Sequence, residues 1–551
     1  MPVLRIRNAC AAILLSLAVG APRAVAQGTG VVAPIDLAYD DLDRLRELGL
    51  LQTGLAGQRP YSRREFARLV QAALDALAAR SRSGGVGSEV EASANAIIAR
   101  LADRFLADTD RSTSWPAVHV VDDAALRFTS TDAVRRGFAG SIASALEATI
   151  DPLARPRVGR PATRGESMAL ELSQRIEFAS WLSAQATERL EQRWSRDSVR
   201  SAQNGELLAA SLRARYGNVA LSLGRQQIAW GQTRGDGLFF SSDAPALDLV
   251  KLSSDRPFMM PSILRVLGPA QATLIVAEMG PSRVRSHSKL LAYKVSVQPR
   301  PSLELGASFM NHYGGSGGRA SRIGNRVIDF LPFIDIFRTH NYYDTTRTLD
   351  VDSDKLLGVD ARVRFAKLGG LTLTGELLID DFDVHRIPTL FTWDGAQTFG
   401  AMLPSIARSP VSVRLSAKHT GIRTYAHGSL SNGIATRGRL LGDELGPDAK
   451  AFGVTMLWEP SGSIRLAVEG RHATYSKATY ATELRGNYFV IRRIGDASNE
   501  ERDRVVVSLA AEVASGTSLV ARVGGERTAN FAFTGGRRRD YAADVALRFA
   551  R

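Results

Sequence analysis

The sequence predicts a mainly β protein, a transmembrane antiparallel β-barrel of about 16–18 strands with a small N-terminal α-helical bundle. Three observations predict it. An export leader opens the chain, yet no run of 18 consecutive apolar residues follows, so a helical membrane span is not expected. Near Ala117 the hydrophobic period changes from 3.6 to 2, the change from helices to strands. Along the period-2 segments the charges keep to one of the two alternating faces, as they do where the other face meets lipid.

The leader is read from Arg5 and Arg7 ahead of the apolar run 11–20, closed by the A-x-A site Ala24-Val25-Ala26 before Gln27. Residues 1–26 are therefore a secretory signal peptide, outside the fold. Cys10, the only cysteine, falls within it, so no disulfide, free thiol or lipid anchor is expected in the mature chain. The formal charge of +14 falls to +11 without Arg5, Arg7 and Arg23. Only eight of the 70 basic residues are lysine. Arginine-rich codon usage gives such a bias; so does selection for guanidinium groups that grip phosphate and carboxylate in a bidentate fork. The second reading suits an acidic glycan or lipopolysaccharide. Nucleic acid is not an expected partner of an exported chain.

Residues 27–110 read as a bundle of three amphipathic helices. Asp36 or Asp40 caps the first, whose apolar positions Leu42, Leu45, Leu48 and Leu51 share a face until Gly49 and the glycines at 54–57 stop it. Ser62 with Glu65 forms a capping box ahead of Phe66, Leu69, Val70, Ala73 and Leu77. A linker over 81–87 precedes a third helix carrying Val90, Ala94, Ile97, Ile98 and Leu101. None has membrane-spanning character, so the bundle is placed in the periplasm.

Residues 111–551 read as the barrel. Leu208, Ala210, Leu212, Ala214 and Tyr216 alternate with polar or small residues, turn at Gly217-Asn218, and continue as Val219, Leu221 and Leu223. The hairpin recurs around the turns 299–302, 369–370, 460–463 and 515–518. A soluble sandwich also alternates. The decision comes from the polar face, which collects Lys294, Glu304, Arg362, Glu376, Arg465, Arg471, Glu512 and Glu526, while the opposite face is nearly free of charge. Tyr216, Phe309, Phe365 and Trp458 at strand ends suit an aromatic girdle. The closing run, Tyr541, Val545, Leu547 and Phe549, is similar to a terminal barrel strand, although Ala550 and Arg551 follow the aromatic.

One stretch, 224–261, breaks the pattern: about thirty residues beyond Arg225 show no sustained period and hold Trp230, Phe239 and Phe240 among polar residues. So long an irregular run in a compact protein is usually functional. It is expected to fold into the lumen and fill it, with Arg225, Arg234, Asp236, Asp243 and Asp248 pairing with wall charges. Long loops are also expected over 311–354 and 381–410. Rings beside hydroxyl, amide and charged groups are what a sugar needs, so Trp230, Arg234, Phe239, Asp243, His312, Tyr313, Tyr342, Tyr343 and Trp393 are the candidate glycan contacts.

The run WGQTRGDGLFFSSDAPALDLVKL at 230–252 resembles the capsule-assembly Wzi-type family of outer-membrane barrels. So do AYDDLDRLRELGLL with GQRPYSRREFARLV in the helical part, and YAHGSLSNGIATRGRLLGDELGPDAKAFGVTMLW at 425–458. The helical wording also resembles an S-layer homology unit, which would make peptidoglycan a partner, although Pro60, Tyr61, Ser62 and Arg63 equally suit a turn between helices. What the Wzi resemblance implies is a non-enzymatic outer-membrane protein that binds or anchors surface polysaccharide. The rivals are a porin tethered to the cell wall and an outer-membrane hydrolase. The eight histidines are scattered without a metal-ligand spacing, and there is no GxSxG elbow and no P-loop, so neither a metal site nor a cofactor is expected.

Overall fold

The computed structural model describes residues 30–82, 89–106, 115–139, 146, 148–150, 153, 164–197, 201–233, 237–281, 283–317, 353–380, 389, 393, 395–407, 409–427, 432–486, 488–495 and 497–550. The leader lies outside them.

Three helices open the chain: α1 (Leu37–Glu47), α2 (Arg63–Arg82) and α3 (Glu89–Phe105). Asp36 caps α1 by accepting a hydrogen bond from the Ala38 amide (2.8 Å). The Ser62 hydroxyl caps α2 by accepting from the Glu65 amide (3.2 Å), while the Glu65 carboxylate turns to Arg68. Helix α2 runs to Arg82, so the linker begins later than the expected Ser81. The apolar stripes meet in one core, in which Phe66 stacks on Phe105 (4.6 Å between centroids) and Tyr39 lies edge-on to Phe66. Tyr61, Ser62 and Arg63 are buried in that assembly. Tyr61 thus lies in the turn between two helices, Ser62 caps the second and Arg63 is its first residue.

The remaining chain forms a closed antiparallel barrel of 18 strands, from Ala117–Thr131 to Gly536–Ala550, with these two strands paired in the register Leu126↔Leu547 and Phe128↔Val545. Short turns join strands at one end, with positive φ at Gly217, Gly369, Gly370 and Gly516. The irregular connections gather at the other. Side chains alternate as a period of 2 requires: Val295, Val359, Phe399, Met456, Val505 and Val523 are exposed outside, while Lys294, Glu304, Glu376 and Glu526 are buried inside. Among the described helices none is long and apolar enough to cross a membrane.

Four expectations need correction. Leu208 faces inward and is buried, because a register shift between Thr187 and Glu188 inverts the pattern upstream of Leu212. Phe309 is covered rather than exposed, with Tyr293 5.0 Å from it. The stretch 224–261 contains a barrel strand, Leu247–Ser254, and the segment 381–410 contains another, Gly395–Leu403. Arg225 and Asp248 pair with each other (2.7 Å) across adjacent strands on the outward face, not with the lumen wall.

Candidate functional site

The lumen is closed from both ends. From the long-loop end, the segment between Gln226 and Leu247 turns inward. Trp230 and Phe240 bridge backbone to backbone (2.9 Å), and their rings meet edge to face at 4.9 Å. Gly237 is required at this fold-back: a Cβ there would lie 1.7 Å from the Trp230 carbonyl oxygen. Phe239 seats on the wall at Gly358, where a Cβ would stand 2.1 Å from its ring. A second inward segment, between Thr420 and Ala449, covers the first. The Tyr425 hydroxyl donates to the Leu238 carbonyl (2.7 Å) and accepts from the Asp443 amide (3.0 Å), and the Ser241 amide donates to the Leu441 carbonyl (2.8 Å). Burial pushes the Tyr425 hydroxyl far above its ordinary pKa, so it stays a donor. Ile228, Leu238, Ile434 and Leu441 complete an apolar core inside the barrel mouth.

From the short-turn end, the connection between α1 and α2 enters the lumen and meets the first segment. Gln58 pairs with Trp230 and Arg59 with Ala229 as a two-residue antiparallel ladder. The Gly231 amide donates to the Gly57 carbonyl (3.0 Å).

Three wall carboxylates hold both intruders. Glu376 accepts from the amides of Gln232 (2.7 Å), Thr233 (3.2 Å) and Leu238 (3.1 Å) and from the Thr233 hydroxyl (3.1 Å). Glu304 accepts from the amides of Ala56 (3.0 Å) and Gly57 (2.9 Å), while Gln232 donates to both Glu304 (3.0 Å) and Asp360 (2.7 Å). Lys294 pairs with Asp360, and Arg362 with Glu304 (3.1 Å), so these buried charges are compensated. The charge pairing expected between plug and wall is not what holds it: Glu376 meets neutral amides and a hydroxyl of the plug, Arg362 pairs with the wall's own Glu304, Arg471 pairs with Glu444 of the second segment, and Arg234 and Asp236 lie outside the described residues.

The bundle below is clamped to the short-turn strand ends by ions. Arg44 pairs with Glu459 and donates to the Pro404 carbonyl (2.8 Å); Arg100 bridges Asp41 (2.8 Å) and Glu512 (3.2 Å); Arg104 bridges Asp36 (2.8 Å) and Asp123 (2.9 Å); Arg465 reaches Asp41 (3.0 Å). Burial alone would raise the Asp36 carboxyl, but the Arg104 guanidinium, Arg548 and the Ala38 amide outweigh it and hold the group well below the carboxylate range.

The expected glycan contacts divide accordingly. Trp230, Phe239 and Asp243 are buried in the closure, and His312 is buried with its Nε2 2.8 Å from the Ser288 hydroxyl. Ser288 is sealed from solvent and His312 Nδ1 has no hydrogen-bond partner among the described residues, so this pair lacks the oriented imidazole of a hydrolytic triad. Tyr313 and Trp393 keep exposed surface. Arg234, Tyr342 and Tyr343 lie outside the described residues.

At the long-loop mouth Trp393 stands 4.9 Å from Tyr480, whose hydroxyl donates to both Asp448 oxygens (3.1 and 3.2 Å). Burial raises the Asp448 carboxyl against the pull of Ser476 and Tyr480. Half-exposed rings beside a hydroxyl and a carboxyl make a shelf on which a pyranose face can stack. Tyr480 and Asp448 carry no signal in the sequence: they are 32 residues apart and meet at the open end of the hairpin in which Ala449 pairs with Tyr475.

Residues 138–543, well over half of the chain, match the family described as Capsule assembly protein Wzi. Among curated proteins no sequence matches. Among solved structures the chain is similar to Escherichia coli Wzi, described as a carbohydrate-binding β-barrel in group 1 capsule assembly, with a TM-score of 0.65 at 15% identity over 95% of this chain and 99% of that one. It is also similar to Pseudomonas aeruginosa OccD3 (TM-score 0.43, 9% identity, 79% of this chain and 92% of that one) and OccK11 (0.41, 10%, 78% and 94%).

Proposed function

The chain belongs to the Wzi capsule-assembly family of outer-membrane barrels, and from that premise we propose that it holds surface polysaccharide at the cell exterior without conducting or cleaving it. On this reading the long loops face outward, the helical bundle faces the periplasm, and the glycan rests on the mouth around Trp393 and Tyr480. The observation that carries the reading is the double closure, in which two oppositely directed segments meet at Gln58 and Trp230 inside the lumen. A diffusion porin keeps an aqueous channel through a barrel of this width; here folded, hydrogen-bonded backbone from both ends crosses the lumen. The carbohydrate binding described for the Escherichia coli protein supports the same partner class for this one.

The test uses the mature full chain and polysaccharide extracted from the surface of the producing organism. Immobilised glycan should retain the protein, and Trp393→Ala with Tyr480→Ala should weaken retention by about tenfold, the scale of losing an aromatic anchor. Planar bilayers should show no large steady channels. Large channels from the intact protein together with undiminished retention in the double variant would overturn the proposal.

A further inference from the structure

The outer face of the barrel carries a feature that neither closure nor glycan holding uses. Across the strands from Ala449–Ser461 to Gly536–Ala550, register sets Phe452, His472, Asp503, Arg527 and Arg539 in one outward row. The row immediately toward the short turns reads Val454, Gly470, Val505, Gly525 and Tyr541, and below it come rows of aliphatic residues. The two glycines leave the floor bare: a Cβ on Gly470 would meet nothing within 4 Å, and one on Gly525 only the Asp540 carbonyl at 4.0 Å. The result is an open groove of about 620 Å³, apolar along its length and basic at its head.

The charges at that head are unbalanced. Asp503, the other cross-strand neighbour of Arg527, lies 2.8 Å from His472, and exposed Glu501 stands in the row of Arg537, so two carboxylates face three arginines. Arg527, Arg539 and Arg537, one row further out, are exposed, and none makes an ion pair or hydrogen bond among the described residues. Arg527 and Arg539 are direct cross-strand partners, an arrangement that costs stability unless an anion sits between them. Height identifies that anion. From Thr517 to Arg527, at about 3.3 Å per residue and a tilt near 40°, is about 25 Å, the thickness of the apolar band of such a barrel. With the long loops facing outward, as the proposed function has it, the arginines stand at the level of the outer-leaflet headgroups.

We propose that this groove is a docking site for a phosphorylated, multiply acylated lipid of the outer leaflet: Arg527 and Arg539 share its phosphate, and one acyl chain lies over Gly470 and Gly525. The site fixes one side of the barrel to the leaflet and leaves the mouth free for glycan.

Native mass spectrometry of the full-length mature protein tests this with three probes: bisphosphorylated lipid A, the same lipid with its phosphates removed, and inorganic phosphate alone. The phosphorylated lipid should be retained, the dephosphorylated one about tenfold less, and millimolar phosphate should not displace it. Arg527→Gln with Arg539→Gln should lower retention by about thirtyfold, the equivalent of about 1 kcal/mol for each arginine at an anionic surface. Gly525→Leu, which fills the groove and leaves the arginines intact, should also lower it, and Arg485→Gln, on the separate hairpin formed by Thr479–Arg485 and Tyr488–Gly495, should not. Heat-modifiable mobility on gels confirms that each variant has folded. Equal retention of the two lipids, displacement by phosphate alone, or no effect of Gly525→Leu would each overturn the proposal.

Discussion

At the long-loop end Trp230, Leu238, Phe239, Phe240 and Tyr425 close the lumen by burying rings against each other and against a wall glycine, whereas at the short-turn end the bundle is fixed to the barrel mainly by guanidinium–carboxylate pairs. These differ in what they contribute. Burying a large apolar side chain is worth about 1.5–3 kcal/mol, and the inward segments bring several along with satisfied backbone groups. A buried ion pair roughly breaks even against its own desolvation and chiefly fixes geometry. The mouth is therefore shut by net stabilisation and the bundle is held in register by complementarity, so salt and acid act on the second far more than on the first.

The largest effect should come from removing both closures. Replacing residues 229–244 by a short flexible linker leaves the Gly54 to Arg59 connection in the lumen, so conductance should stay small. Replacing residues 421–447 by a linker and removing residues 30–106 as well should give large steady channels in planar bilayers, since a barrel this wide is open when empty. A single deletion that conducts as well as the combined one would show that the closures do not act in series. Next comes the apolar closure itself. Trp230→Ala should destabilise the mouth by about 3–5 kcal/mol. Glu376→Ala, which leaves the amides of Gln232, Thr233 and Leu238 without an acceptor, should cost at least about 2 kcal/mol. Thermal loss of heat-modifiable mobility reads both: a Trp230→Ala variant as stable as the parent would mean the mouth is not closed by burial, and an equally stable Glu376→Ala would mean the wall carboxylate does not hold the segment.

Much of this contrast was legible in the sequence, and the parts that were not share a cause. The alternation of Leu212 with Arg213 and the two-residue Gly217-Asn218 turn carry the barrel, because lipid outside and charge inside impose a strict period of 2. Leu247–Ser254 escaped because its inward Leu247 and Leu249 pack on the closure core while Val250 and Leu252 face out, and each face also carries a charge, Lys251 inward and Asp248 outward, which erases the alternation. Leu208 inverted because a bulge depends on the partner strand. The aromatic content of Trp230 to Phe240 marked one inward segment. Nothing comparable marked the bundle's contribution, since Gly57 and Gln58 read as an ordinary interhelical turn. Trp393 was visible as an aromatic in a loop, but its neighbours Tyr480 and Asp448 are assembled by tertiary structure alone.

Acid should separate the two ends at intermediate magnitude. The Asp36 carboxyl lies below its unfolded value when paired with Arg104, beside Asp123 and Arg548. A lowered folded pKa gives stability that is present above the unfolded value, about 3.9, and is lost as pH falls from there toward the folded value. Amide exchange in α1 and α3 should therefore accelerate below about pH 4. Asp36→Asn should weaken the clamp at neutral pH and flatten that dependence. Protection of the Trp230 to Phe240 bridge should change less over the same range. An Asp36→Asn variant with an unchanged pH slope would remove the carboxyl from the account.

The smallest effect is expected at the edge of the clamp, where Arg100 and Glu512 are both about a quarter exposed and 3.2 Å apart. The same guanidinium already makes two bonds to Asp41 (2.8 and 3.0 Å) and one to the Gly462 carbonyl (2.8 Å). Losing Glu512 thus removes the longest and wettest of its contacts and leaves its position fixed. Half-exposed pairs of this kind couple by about 0.2–1 kcal/mol, and at 1 M salt, where the Debye length is about 3 Å, an exposed charge is screened at this distance. A double-mutant cycle of Arg100→Gln and Glu512→Gln, read as exchange protection of α3, should give coupling below about 1 kcal/mol at low salt and close to zero at 1 M salt. The same salt step should leave the aromatic mouth unmoved, because apolar burial is not screened. Coupling above about 2 kcal/mol that persists in salt would mean that the clamp is as dry as the mouth, and the contrast between the two ends would fail.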